Sequence, residues 1–217
     1  AKDGMDVLTT LNVEIQDIAE KALLDVLHKQ NEVHGGDART GVVIVMEVAT
    51  GDIKAIVNMN RLADGNYYET KNNALTDILE PGSTFKTASL LVALDDKKIS
   101  ITDSVDANQG LYKFGTATMR DHNWNKASAY GMLSVPQVLM YSSNVGTARI
   151  IDENYGKEPE KFVEGLRRMG LATHFPLLPG TGRPVIRKPN KDKTNWSRTA
   201  LPWMSIGYAV QVPPIYT

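Results

Sequence analysis

The chain of 217 residues has no cysteine. Disulfides, thiol nucleophiles and thiolate metal sites are thereby excluded, while the compartment stays undecided. Histidine is scarce: His28, His34, His122 and His174 are scattered. None pairs with a second histidine or a carboxylate at metal-ligand spacing, so a zinc enzyme is not expected. Charge of one sign is missing too. Lysine and arginine number 24 against 25 acidic residues, a net charge of −1. No global field draws the chain to nucleic acid or an anionic membrane, and no nucleic-acid partner is expected. No stretch approaches the roughly 18 to 20 apolar residues that span a bilayer. No signal peptide is visible over Ala1–Leu11, and there is no internal repeat or low-complexity tract. Both ends read as cuts within a longer protein: the chain opens on Ala-Lys-Asp-Gly and closes on Pro-Pro-Ile-Tyr-Thr.

What remains is an ordinary globular composition, 42% hydrophobic and 23% charged, long enough for one large domain or two small ones. Val13, Ile18, Ala22, Leu23, Val26 and Leu27 recur at helical spacing, with Asn12 or Thr10 as cap. His34-Gly35-Gly36-Asp37 reads as a turn. Val42–Val48 is β-branched and apolar, as a strand buried on both faces should be. A turn at Ala49-Thr50-Gly51-Asp52 sends the chain back as a second strand over Ile53–Met59. Glu80-Pro81-Gly82 then breaks the chain before a helix from about Ser83 to Leu94. Its apolar residues, Phe85, Ala88, Leu90, Leu91, Val92 and Ala93, run nearly all round, the mark of a buried helix. Lys97–Asp106 reads as loop. Ser134–Tyr155 is helical with an interruption at Ser142-Ser143-Asn144, and Glu158–Met169 is a further helix. His174–Lys193 is a long loop rich in Pro, Gly and Lys. An apolar stretch runs from Thr199 to Thr217.

Two short motifs carry chemistry. Ser83 and Lys86, three apart on a helix, share a face and come within hydrogen-bond reach. A serine hydroxyl is a weak nucleophile until a base takes its proton. A lysine becomes that base when burial lowers its pKa, and this apolar helix supplies such a setting. At a helix N-terminus, free backbone N–H groups also favour the negative charge of an acyl-transfer intermediate. Against this, Ser-x-x-Lys arises by chance on the order of once in a chain this long. Ser83 as a simple N-cap, with Lys86 as a solvated side chain, stays open. Ser142-x-Asn144 could aim a hydroxyl and an amide into a cleft, the first to relay a proton and the second to hold a substrate carbonyl. It could equally be a helix boundary, where Ser and Asn are favoured.

Taken together these motifs are more specific than either alone. Glu80-Pro81-Gly82-Ser83-Thr84-Phe85-Lys86 resembles the active-site signature of class B (monofunctional) penicillin-binding proteins, and Met140-Tyr141-Ser142-Ser143-Asn144-Val145-Gly146 resembles their second motif. Asp6–Thr10 with Ile15-Gln16 resembles the start of their transpeptidase domain, as does the hairpin Val45–Met59. Ser205–Pro214 resembles the segment before their third motif, Lys-Thr-Gly. That third motif is absent. Lys86-Thr87-Ala88 lies inside the helix, and Lys193-Thr194-Asn195 lacks the glycine that permits close backbone approach.

The resemblance implies a mixed α/β fold of the penicillin-binding-protein/serine β-lactamase type, an antiparallel sheet flanked by helices and incomplete at the C-terminus. Residues 1–217 would form the N-terminal portion of a single transpeptidase domain. It implies a D,D-transpeptidase that cross-links peptidoglycan stem peptides, is the target of β-lactam antibiotics and uses no cofactor or metal. Ser83 would attack the D-Ala–D-Ala carbonyl and Lys86 would be the base. Ser142 would relay a proton to the leaving group, and Asn144 would position Lys86 and the substrate amide. The full-length protein would face the periplasm, anchored by an N-terminal helix, with glycosyltransferase and other cell-wall assembly proteins as partners. The strands that should cover the hairpin edge would be missing, an association hazard. So would the second oxyanion donor, whose loss costs on the order of a hundredfold in rate, leaving the fragment impaired. A β-lactam sensor, a β-lactamase of the same fold and a non-catalytic cell-wall scaffold remain the competing readings.

Overall fold

The computed structural model describes residues 4, 6–33, 35–175, 180–190, 192 and 194–217. His34 and Lys193, named above, lie outside them, as do residues 1–3 and 5 at the start and residues 176–179 and 191 of the long loop. The chain divides into two compact units, one built chiefly from the residues up to Asp77 and the other chiefly from Ile78 onward.

The first unit is a helix on a three-stranded sheet. Helix α1 (Val13–Val33) begins where Asn12 Oδ1 accepts the Ile15 N–H at 3.1 Å, the cap expected of that residue. Strands β1 (Thr40–Met46), β2 (Ile53–Arg61) and β3 (Tyr67–Tyr68) pair antiparallel in the order β1-β2-β3, with short helix α2 (Asn73–Thr76) after them. The hairpin register pairs Val43 with Val57 and Val45 with Ala55, and a bulge follows at Val45/Met46. Alternate residues of β2, Ala55, Val57 and Met59, are buried against Ala19, Leu23 and Leu27, which recur every four residues along α1.

Two sequence expectations shift here. Ile18, Ala22 and Val26 form a neighbouring stripe of α1 that is exposed, because the 19/23/27 stripe is the one facing β2. Strand β1 is half-buried along its middle rather than buried on both faces, since it is the edge strand of its sheet.

The second unit is a helical core carrying short antiparallel ribbons. A single 3₁₀ turn, Gly82–Thr84, leads into α3 (Phe85–Asp95). Strands β4 (Ser104–Asp106), β5 (Leu111–Phe114), β6 (Ala117–Arg120) and β7 (Met132–Ser134) follow. β4 pairs with β7, and β5 with β6. Then come α4 (Val135–Met140), α5 (Asn144–Tyr155), α6 (Pro159–Arg168), β8 (Val185–Ile186), α7 (Ala200–Ser205) and β9 (Val210–Gln211), with β8 paired to β9.

Phe85, Val92 and Ala93 of α3 pack in one cluster with Val138, Val145, Ile151, Phe162, Leu166 and Met204. Leu91 escapes it at 52% exposed, so α3 is not buried all round. The stretch expected as loop after Lys97 ends in β4, and the His174–Lys193 loop contains β8. Both ribbons are two or three residues per strand, too short to show a period.

Candidate active site

The Glu-Pro-Gly turn is held from far along the chain. Leu79 and Val212 exchange backbone hydrogen bonds, and Glu80 Oε1 accepts the Ala209 N–H at 2.8 Å. Gly82 N donates to Gly207 O at 3.1 Å. Both glycines have positive φ, +60° and +84°. A Cβ on Gly207 would stand 2.7 Å from Gly82 N and overlap its carbonyl, so the approach depends on a bare Cα. Ser83, the middle residue of the 3₁₀ turn, is thus presented, exposed, at the head of α3.

Lys86 sits in the first turn of α3 and is 1% exposed. Its Nζ donates to Ser142 O at 2.6 Å and to Ser142 Oγ at 2.9 Å. Burial lowers its pKa from the ordinary 10.5 to about 8, opposed by the negative charge of Asp121. A neutral amine has two N–H donors and one lone pair. The two bonds to Ser142 match those two donors, so in the neutral form the lone pair would be left to take a proton. No hydrogen bond joins Lys86 to Ser83 or to Asn144 among the described residues; the lysine and Ser142 are the pair brought together.

Ser142 lies in the break between α4 and α5. Helix α4 opens on a capping box, Ser134 with Gln137. It closes in a Schellman turn, Ser142 N donating to Leu139 O and Ser143 N to Val138 O. Ser142 takes the left-handed position that glycine usually fills, φ +51°. That conformation turns its carbonyl and hydroxyl to the lysine. Ser143 caps α5, its Oγ accepting from Gly146 N, and Asn144 starts the helix. The boundary reading of Ser-x-Asn is thus the one the backbone shows, and the boundary also sets the Ser142 hydroxyl against Lys86. Ser142→Gly and Ser142→Ala both lose the hydroxyl bond to Lys86, but Gly relieves the left-handed strain that Ala keeps, so Ser142→Gly is expected to be about 1 kcal/mol more stable than Ser142→Ala in denaturant unfolding.

Asn144 Nδ2 donates to Arg120 O at 2.8 Å, which ties the end of β6 to the motif. Asp121, the next residue, was not singled out in the sequence. Its carboxylate is 2% exposed, accepting Ser143 Oγ–H at 2.7 Å and Val145 N–H at 2.9 Å. It holds the α4–α5 break and supplies the negative charge that Lys86 feels. Nothing local marks it, since its partners lie more than twenty residues on. Asp121→Asn removes that charge and should move the Lys86 titration below 8, read as a lower midpoint in the pH dependence of Lys86 chemistry. A midpoint that stays at 8 or rises would show that Asp121 does not act on the lysine through charge.

Among the described residues, no group of three or more His, Asp or Glu side chains is arranged to hold a metal, and no helix is long and apolar enough to cross a membrane.

A buried lysine fixed on a Ser-x-Asn hydroxyl, one helical turn from an exposed serine, is the constellation of the serine acyltransferases. The chain belongs to the penicillin binding protein transpeptidase domain family, whose profile matches residues 41–215. It is 32% identical over 216 residues to a probable peptidoglycan D,D-transpeptidase PenA of Neisseria flavescens, across 97% of this chain and 49% of the relative. It is 27% identical to a probable peptidoglycan D,D-transpeptidase PbpC of Pseudomonas aeruginosa, across 97% of this chain and 35% of that one. The transpeptidase domain of Burkholderia pseudomallei penicillin-binding protein 3 superposes with a TM-score of 0.75 at 25% identity, covering 99% of this chain and 57% of the other. A Burkholderia ambifaria structure described as a peptidoglycan glycosyltransferase gives 0.74 at 27%, covering 94% and 57%. The mixed α/β fold expected from the motifs is thereby the fold observed. The chain spans about half the length, or less, of the curated relatives it matches.

Proposed function

We propose that this chain carries the acylation machinery of a peptidoglycan D,D-transpeptidase. The buried, partly neutral Lys86 amine fixed on Ser142, one turn from Ser83, is the observation that carries the reading. Ser83 Oγ attacks the carbonyl of the penultimate D-Ala and passes its proton to Lys86 Nζ. The oxyanion that forms is stabilised by backbone N–H groups at the head of α3. Collapse breaks the peptide bond. The departing D-Ala amine takes a proton from Ser142 Oγ, which Lys86 replaces. The amine of a neighbouring stem peptide then attacks the acyl-enzyme, and the same groups return the proton to Ser83. Asn144 Oδ1, which accepts no hydrogen bond among the described residues, is left to receive an amide N–H of the donor peptide. β-Lactams acylate Ser83 as mimics of that donor.

On this reading residues 1–217 are the N-terminal portion of one transpeptidase domain. It works on the extracytoplasmic face, and the whole protein has glycosyltransferase and other cell-wall assembly proteins as partners. The test is incubation of the whole protein with a fluorescent penicillin, followed by peptide mass spectrometry. An adduct on the Ser83 peptide is expected, and its absence overturns the reading. Rapid release of the opened drug points instead to a β-lactamase, and stable labelling without cross-linking activity points to a sensor. Normal growth of a Ser83→Ala strain points to a scaffold.

A further inference from the structure

Three rings form a ladder beside the Ser-x-Asn motif. Tyr141, the residue before Ser142, stacks on Tyr130 with ring centroids 5.1 Å apart and planes 13° from parallel. His122 meets the same Tyr130 edge-on at 5.8 Å. Both ends of the ladder are chain neighbours of residues at the proposed acylation site. His122 follows Asp121, the carboxylate that grips Ser143 and Val145. Tyr141 precedes the residue whose carbonyl and hydroxyl hold Lys86. The rings are nonetheless not core: Tyr141 is 37% exposed and His122 is exposed, while Tyr130 is half-buried between them. Exposed ring faces beside a fixed backbone offer apolar area and a π-quadrupole to a planar partner. In the same segment Arg120, two residues before His122, stands over Trp124 with its guanidinium carbon 5.0 Å from the ring. Arg120 also lends its carbonyl to Asn144.

We infer that the His122–Tyr130–Tyr141 ladder is a specificity subsite for the acyl donor, taking a planar group on the acyl side of the bond that Ser83 attacks. In a stem peptide that group is an amide plane, and in a penicillin it is the aryl side chain. The inference rests on the acylation reading above and adds which donors are preferred. Stacking makes the site tolerant of the group's identity but demanding of its flatness, because a π-face offers area and a quadrupole rather than directed hydrogen bonds. Tyr141 is a rigid stop at the end of α4, so the platform is preorganised and little rotamer freedom is lost on binding.

The experiment compares second-order acylation of Ser83 by benzylpenicillin and by 6-aminopenicillanic acid, which has the same lactam nucleus but no acyl side chain. In Tyr141→Leu and Tyr130→Leu the benzylpenicillin rate should fall about five- to tenfold, the weight of one ring stack. The 6-aminopenicillanic acid rate should fall less than twofold. Tyr141→Phe, which keeps the ring, should retain the wild-type ratio of the two rates. Equal losses with both lactams, or no loss with either, overturns the subsite while leaving the acylation reading intact. If neither lactam labels Ser83 in the wild-type protein, the acylation reading falls and this inference falls with it. Should Tyr130→Leu fail to fold, the Tyr141 pair of variants decides the matter alone.

Discussion

Lys86→Met is expected to cut acylation of Ser83 about a thousandfold, the usual worth of a positioned general base. The side chain matches in length and suits the apolar site, so the protein should still fold. The pH dependence is the sharper signature. The active form is the neutral amine, and with a pKa of about 8 only about one-tenth of Lys86 is neutral at pH 7. The wild-type rate should therefore climb about tenfold per pH unit up to pH 8 and level off above it. The same group leaves a mark on stability. Between about 8 and 10.5 the unfolded chain holds a proton on Lys86 that the folded chain lacks. Stability must then rise with pH through that window and stay flat below it, as far as this group is concerned. Lys86→Met erases that rise. A variant that acylates within tenfold of wild type, or a wild-type rate indifferent to pH between 6 and 9, removes Lys86 from the role of base.

Gly207→Ala should be the most damaging single methyl in the molecule. The new Cβ would stand 2.7 Å from Gly82 N and overlap the Gly82 carbonyl, on a backbone at φ +84° that alanine resists. Backbone cannot yield as a flexible side chain can. The strain of the left-handed position adds about 1 kcal/mol, and relief of the overlap requires the Gly82–Gly207 hydrogen bond to open. We expect a loss of about 3 kcal/mol or more in denaturant unfolding. Acylation should also fall steeply, because the Ser83 turn is displaced with Gly82. Full acylation in a merely destabilised protein would show that the clamp supports the fold but does not aim the serine.

Ser83 and Lys86 stood out in the sequence because they are three apart where a 3₁₀ turn runs into a helix, so spacing alone brings them near. Ser142 was legible for a related reason. A helix that must stop and restart within three residues needs cap chemistry, and Ser-Ser-Asn is written in those residue types. What the spacing could not show is the direction of the lysine. It turns from Ser83 to Ser142, 56 residues on, because the Schellman turn points a carbonyl at it. Asp121 was hidden because a lone acid between two short strands reads as surface until its three-dimensional partners are known. In α1 the period was plain but the buried stripe was not: two adjacent i, i+4 runs are both apolar, and only the pairing with Ala55, Val57 and Met59 chooses between them. The β5–β6 ribbon went unread because four-residue strands carry too little alternation to stand out.

The clamp on the Glu80-Pro81-Gly82 turn also sets a time at which the serine becomes reactive. Glu80 and Ala209 are 129 residues apart. A ribosome adding roughly 5–20 residues per second will have made Ser83 and Lys86 several seconds before it makes their clamp. Through that interval the nucleophile is an ordinary serine on an untethered turn. Closing so long a loop comes late among folding events, after local helices have formed. If Ser83 is the nucleophile proposed above, nascent chains should be inert to penicillin until the Gly207–Ala209 segment has been made and has docked on the Glu80–Gly82 turn.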